Sequence, residues 1–322
     1  MKSILIRQTG GPEVMRLEDT ALSTLGPGSV LVKIEATGVN FIDVYFRIGL
    51  YKAELPFTPG MEAAGVVEAV GPGVTDFTAG DRVAYAMTRG SYSEYAIVPA
   101  QTLVKIPDGV SGELAAASML QGMTAHYLSH STFPLDSSHT ALIHAAAGGT
   151  GALLVQMAKM RGARVIATVG SADKAARAKE VGADEVIQYH EQDFEVETRD
   201  RTNGKGVDVV YDSVGASTFL KSINCLKPRG MMVTFGNASG PVPAIEPLLL
   251  STKGSLFLTR PTLANYTSSR EDLLWRAGDV LGWVSSGKLK VTVHKSYPLA
   301  DAGQAHKDLE SRASAGKLLL IP

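Results

Sequence analysis

Thr140-Ala141-Leu142-Ile143-His144-Ala145-Ala146-Ala147-Gly148-Gly149-Thr150-Gly151 is the stretch on which the fold of this 322-residue chain turns. Thr140 to Ile143 reads as a strand, the glycines as a turn, and Leu153, Leu154, Met157 and Met160 as the apolar stripe of a helix lying on a sheet. Strand, glycine turn and helix in that order form a seat for a dinucleotide pyrophosphate. Ala146, Gly148 and Gly151 take the three fingerprint positions, giving AxGxxG in place of GxGxxG. The helix-start amides, those of Gly149 and Thr150 among them, then point at phosphate oxygens. A plain structural turn is the competing reading of the same glycines.

Downstream the rhythm of strand, turn and helix continues. Gly162 closes the helix, Arg164 to Val169 is the next strand, and Ser171 to Lys179 reads as a helix. Val186-Ile187, Val207 to Tyr211 and Gly230 to Phe235 supply further strands of a parallel sheet. An NAD site often places an acid at the end of the second strand, on the ribose diol. Here Val169-Gly170-Ser171 offers small neutral residues, which removes repulsion of a 2′-phosphate. Ser171 can donate a hydrogen bond to it and Lys174 can supply positive charge. NADPH is the better fit, although Lys174 also reads as an ordinary solvent-facing helix residue. Tyr189 either lines the adenosine side or packs a loop.

Upstream, Ser29 to Ala36, Gly60 to Val70, Arg82 to Ala86 and Ser91 to Val98 are short strands separated by turns such as Gly71-Pro72-Gly73, a density that favours a barrel-like β domain. Beyond the nucleotide-binding segment, Ser268-Ser269-Arg270-Glu271 has capping-box spacing with Ser268 as N-cap. An amphipathic helix runs from there to Ser286-Gly287, and Leu289 to His294 and Leu318 to Ile321 return to strand character. The expected organisation is therefore α/β: residues 1–125 the first part of a β-rich domain, 126–262 the nucleotide-binding domain, and 263–322 a return to the first.

Composition narrows the function classes. Lys plus Arg total 31 against 32 for Asp plus Glu, and this near-neutral balance argues against a nucleic-acid partner. The apolar run after Met1 is too short for a signal peptide, and no uninterrupted apolar stretch approaches the roughly 18 residues of a membrane span. A soluble cytoplasmic protein is expected. The single cysteine, Cys225, excludes an internal disulfide and a cysteine-cluster metal site, and reads as a buried inert thiol.

Gly38-Val39-Asn40-Phe41-Ile42-Asp43-Val44-Tyr45, Gly49-Leu50-Tyr51, Gly60-Met61-Glu62-Ala63-Ala64-Gly65, Leu120-Gln121-Gly122-Met123-Thr124-Ala125, Asp208 to Gly215, Phe235 to Gly240, Leu258-Thr259-Arg260-Pro261 and Ser311 to Lys317 together resemble the zeta-crystallin type of NADPH:quinone oxidoreductase, within the medium-chain dehydrogenase/reductase superfamily. The resemblance spans nearly the whole chain. It implies a GroES-like catalytic domain, a Rossmann domain, NADPH in the cleft between them and a homodimer. It places Asn40, Tyr45 and Tyr51 on the substrate side and Gln121 and Thr124 near the nicotinamide. It assigns Gly148, Gly151, Lys174, Tyr189, Ser213, Asn237 and Arg312 to the cofactor. Relative to zinc alcohol dehydrogenases of that superfamily, Asn40 stands at the catalytic cysteine position and Met61 at the histidine of the GHE motif, and neither supplies a thiolate or imidazole.

An electron-poor quinone accepts hydride readily, so such an enzyme has mainly to orient acceptor and nicotinamide and exclude water. Tyr45 and Tyr51 are expected to frame the flat acceptor, with Asn40 and Tyr45 donating to its carbonyl. The rival readings are an NADPH-dependent reductase of enones or alkenals and a non-catalytic NADPH- or RNA-binding protein. Glu62 reads as a buried structural carboxylate or a polar contact at the site, His144 as a packed strand-end residue rather than a base. Ser255 to Leu258 is an edge strand, internal or paired across a two-fold axis.

Overall fold

The computed structural model describes residues 1–311 and 314–322. They form two compact units, Met1–Met123 with Tyr266–Pro322, and Thr124–Asn265.

The first unit begins with β1 (Lys2–Ile6), β2 (Met15–Asp19), β3 (Ser29–Val39), α1 (Phe41–Arg47), β4 (Glu62–Val70), β5 (Arg82–Ala86), β6 (Tyr95–Pro99) and β7 (Val104–Lys105), after which the chain enters α2 (Gly112–Tyr127). The second unit runs through β8 (Thr140–Ile143), α3 (Gly149–Met160), β9 (Arg164–Val169), α4 (Ala172–Glu180), β10 (Glu185–Gln188), α5 (Phe194–Arg201), β11 (Val207–Asp212), α6 (Phe219–Asn224), β12 (Leu226–Thr234), α7 (Leu248–Thr252), β13 (Phe257–Thr259) and α8 (Leu263–Tyr266). The chain then returns through α9 (Arg270–Ser285), β14 (Val293–Pro298), α10 (Ala302–Glu310) and β15 (Lys317–Ile321).

In the second unit six strands, all parallel, lie in the order β10-β9-β8-β11-β12-β13. This is the doubly wound Rossmann order, with its switch point between β8 and β11. Its central strands are covered on both faces, which is why they read as apolar runs. Leu142, Ile166, Val210 and Met232 are completely buried, each stabilising the fold by about 1.5–3 kcal/mol.

In the first unit a seven-stranded sheet, β14-β15-β3-β4-β5-β7 with β6 also on β3, is antiparallel except for β14 on β15. β3 is its spine. One apolar cluster packs Val30, Val32 and Ile34 with Val67, Tyr85 and Leu103; another joins Ile4 and Ile6 to Val44, Tyr92, Leu309 and Leu318.

Several local expectations need correction. Two helices, α1 and α2, occupy segments where only strands and turns were expected. α2 is apolar nearly all round, with Ala115, Ala116 and Ala117 fully buried, so no amphipathic stripe announces it. The cap of α9 is Ser269, whose hydroxyl accepts from the Asp272 amide at 3.0 Å, one residue later than the Ser268 reading. The strand expected at Leu289 begins instead at Val293, because Leu289 serves the end of α9: its amide reaches the Trp283 carbonyl at 2.9 Å past Gly287 at φ 72°.

Candidate functional site

At the carboxyl edge of the six-stranded sheet, five of the six strands each deliver one expected cofactor residue past their ends. Gly148 follows β8, Ser171 follows β9, Tyr189 follows β10, Ser213 follows β11 and Asn237 follows β12. This is where open α/β sheets bind ligands.

In the turn after β8, Ala145 takes the left-handed conformation, at φ 50°, whereas Ala146 keeps a negative φ, as an alanine at the first fingerprint position requires. Ala146 is buried and ties the turn to β9 through its amide and the Thr168 carbonyl at 3.2 Å. Gly148 is the N-cap of α3, no side chain caps that helix, and its first turn holds no acid. The helix therefore presents N–H groups and the positive end of its dipole, with the Gly149, Thr150 and Gly151 backbone in the first turn. A Cβ on Gly151 would lie 2.3 Å from the Ala145 carbonyl oxygen, so only glycine lets α3 approach the turn this closely. The cradle suits a pyrophosphate.

Past β9, Ser171 is the N-cap of α4 and accepts from the Lys174 amide at 3.4 Å. An accepting hydroxyl keeps its own proton to donate. Lys174 is half-buried in the same first turn. The exposed Tyr189 stands over Gly170, where an added Cβ would meet its hydroxyl at 2.8 Å, and packs edge-on to His190 at 4.6 Å. Ser213 and Asn237 are held together by Gly236, whose Cβ would collide with the Ser213 carbonyl at 2.3 Å. With its amide turned to donate to the Gly236 carbonyl, Asn237 accepts from Arg260 Nη2 at 3.1 Å. Arg260, just past β13, was assigned no role from the sequence, and its only signal there is its place after a strand end.

The substrate-side residues lie in the first unit. α1 begins at Asn40 and carries Tyr45, which is buried; its ring meets that of Tyr51 edge-on at 5.3 Å, and the Tyr51 amide donates to the Tyr45 carbonyl at 3.0 Å. Behind them lies a buried polar cluster. Lys317 Nζ pairs with Glu62 Oε2 at 2.5 Å and donates to Asn40 Oδ1 at 2.7 Å, while Glu62 Oε1 accepts from the Leu120 amide. Asn40 Nδ2 donates to Glu62 Oε2 at 2.8 Å and to the Gly38 carbonyl at 3.1 Å. Both amide hydrogens of Asn40 are thus engaged within the chain. Its expected part as a donor to substrate is replaced by an anchoring one. Gln121 Nε2 reaches Asn40 Oδ1 at 3.4 Å, and Thr124, one helical turn along α2, is buried. Arg312 lies outside the described residues.

Glu62 is a buried structural carboxylate whose partner is Lys317, 255 residues away. His144 is buried with Nδ1 on Thr168 Oγ1 and Nε2 on Ser222 Oγ, both at 2.8 Å; burial lowers its pKa against the opposing pull of Asp212, so it is a packed neutral imidazole. Cys225 is buried, and desolvation pushes its thiol up to about 12.

Comparison with known proteins agrees with this geometry. Residues 26–108 match the family model described as alcohol dehydrogenase GroES-like domain, and residues 149–272 the one described as zinc-binding dehydrogenase. The chain is 44% identical to a quinone oxidoreductase of Pseudomonas aeruginosa, covering 100% of this chain and 99% of that protein. It is 43% identical to a 2-haloacrylate reductase of a Burkholderia species, covering 99% and 98%. The solved structure of Escherichia coli quinone oxidoreductase complexed with NADPH superposes with a TM-score of 0.98 at 44% identity, covering 100% of both chains. The zinc in the second model's description does not suit the donors here. Among the described residues no three His, Cys, Asp or Glu side chains gather to hold an ion, and the Lys317 ammonium sits between Asn40 and Glu62.

Proposed function

The chain belongs to the quinone oxidoreductase family of the medium-chain dehydrogenase/reductases, and on that premise we propose that it reduces quinones with NADPH and without a metal ion. The observation that carries this reading is the sheet's carboxyl edge, where an uncapped α3 meets a β9 end free of acid.

When bound, NADPH supplies the hydride, and the reduced acceptor takes its proton from solvent. Gly148, Gly149, Thr150 and Gly151 hold the pyrophosphate through backbone N–H groups, with Ala146 packing the turn beneath. Ser171 and Lys174 hold the 2′-phosphate, Tyr189 covers the adenosine, and Ser213 and Asn237 line the same edge. Arg260 orients the Asn237 amide. Gln121 and Thr124 serve the nicotinamide end. Tyr45 and Tyr51 frame the flat acceptor by ring contacts, and the Tyr45 hydroxyl donates to its carbonyl. Asn40 fixes the start of α1 from behind, with its carbonyl on Lys317. Arg312 is assigned to the cofactor on family grounds.

Stopped-flow oxidation of bound NADPH accelerated by a small soluble quinone is the expected result; no acceleration across several quinones rejects the assignment. The 2-haloacrylate reductase relative favours a second reading, reduction of activated carbon–carbon double bonds. That reaction protonates the α carbon, so it leans on Tyr45 as a proton donor. A product-resolved screen of quinones, enones and aldehydes with NADPH and NADH separates the two, and tight cofactor binding with no turnover would mark a non-catalytic binder.

We further infer a homodimer formed edge to edge through β13, the end strand of the parallel sheet, where Phe257 and Leu258 are 57% and 37% exposed. A monomer mass in sedimentation would reject it. No helix among the described residues is long and apolar enough to cross a membrane. We place the enzyme in the cytoplasm, with its reduced NADPH pool; recovery in another cell fraction would count against this.

A further inference from the structure

α1 has seven residues, about two turns, far short of the roughly 12–15 at which an isolated helix becomes even marginal in water. Its geometry, and with it the direction of the Tyr45 ring, is therefore set by what grips its ends. Two buried ionic side chains do so: Asp43 in its first turn and Arg47 in its last.

These two grips are one hydrogen-bonded chain. Asp43 Oδ2 accepts from the Asn40 amide at 2.9 Å and from the Tyr92 hydroxyl at 3.2 Å. Tyr92 Oη meets His306 Nε2 at 2.9 Å, and His306 Nδ1 meets Arg47 Nη1, also at 2.9 Å. Arg47 closes the chain on Glu310 through two bonds of 3.0 and 2.9 Å and donates from Nε to the Gly10 carbonyl at 3.1 Å. Tyr92, His306 and Arg47 are at most 1% exposed.

The direction of every bond follows from chemistry. Guanidinium only donates, so Nδ1 of His306 is an acceptor and the imidazole is neutral with its proton on Nε2. Burial and the neighbouring Arg47 agree, holding His306 down to about 3. Nε2–H then donates to Tyr92 Oη, and Tyr92 in turn donates to Asp43. The chain has one polarity, from Arg47 to the Asp43 carboxylate, and Asp43 Oδ1 is left without a partner among the described residues.

We propose that Tyr92 and His306 are positioning residues for quinone reduction, fixing both ends of α1 through Asp43 and Arg47 and thereby the ring of Tyr45. Buried ionic groups stabilise a fold poorly compared with well-packed apolar ones, so setting geometry is the role that suits this chain. The inference rests on the quinone-reductase reading above. The state that holds α1 is the Asp43 carboxylate. Burial raises this group to about 7; the Asn40 amide, the Lys317 charge and the Tyr92 hydroxyl oppose that rise, and the Glu62 charge adds to it. Arg47, His306 and Glu310 complete the charged and titratable groups of the chain.

The test compares wild type, Tyr92→Phe, His306→Gln and His306→Leu at saturating NADPH with a soluble benzoquinone across pH. Wild-type kcat/KM should fall on the acid side with a midpoint near 7. Tyr92→Phe removes a bond that favours the carboxylate, so its acid limb should move up by about half a pH unit or more. Its quinone KM should rise several-fold while kcat and NADPH affinity hold. His306→Gln keeps both an acceptor and a donor and should retain the wild-type profile; His306→Leu should follow Tyr92→Phe.

NMR spectra of ring-labelled tyrosine, with Tyr45 assigned through Tyr45→Phe, supply a readout independent of turnover. The Tyr45 signal should titrate with the same midpoint and shift with it in Tyr92→Phe. An unmoved acid limb and an unmoved Tyr45 titration in Tyr92→Phe overturn the proposal, as does a loss of NADPH affinity equal to the loss on quinone. A wild type that turns over no quinone while its Tyr45 titration follows Tyr92 sinks the functional reading and leaves the positioning chain standing.

Discussion

At the residue scale the most consequential arrangement is the Glu62–Lys317 pair, 0% and 1% exposed, with Asn40 hydrogen-bonded to both. Desolvating two opposite charges is costly, and their attraction offsets the cost only because Asn40 and the Leu120 amide satisfy the remaining positions. Lys317→Met leaves Glu62 charged and unpaired, and urea denaturation should show a loss of about 3–5 kcal/mol. Glu62→Gln combined with Lys317→Met removes both charges and should recover part of that loss; equal stability of the single and double variants would contradict the pairing. Asn40 shows why residue identity alone misled. An amide reads as a donor to substrate in the sequence, but its neighbours in space decide whether any hydrogen is left to give.

At the element scale, sequence reading succeeded where a residue's backbone requirement is local. β5 and β9 have the limits expected for them, and α3 and α4 begin at the glycine and serine signals. It failed for α1 and α2. α1 is too short for a periodic pattern, though Asn40 and Asp43 have the spacing of a helix start, and α2 has no polar face. A lysine facing a phosphate contributes a charge-assisted bond of about 1.5–3 kcal/mol, so Lys174→Ala should weaken NADPH binding roughly tenfold or more and leave NADH nearly unchanged. Fluorescence titration with both nucleotides checks it. Equal weakening of the two would place Lys174 away from the 2′-phosphate.

At the scale of the whole molecule, the buried Asp43 makes stability depend on pH. Its pKa is raised from the ordinary 3.8 to about 7, chiefly by burial. Between these values the folded chain keeps a proton that the unfolded chain has released, so this group's contribution is fully present below the lower value and is lost as pH rises through the higher. Asp43→Asn should flatten that part of the profile, and thermal melts of both proteins across the window would show the difference; parallel curves would refute it. The sequence by itself determined the doubly wound half, the glycine turn after β8 and the neutral β9 end, because strand periodicity, turn chemistry and a missing acid are properties of adjacent residues. Only the tertiary structure decided that Lys317 answers Glu62, that Arg260 orients Asn237 and that His306 links the two ends of α1. Those partners are distant along the chain, and burial, which makes their pairing matter, exists only once it has folded.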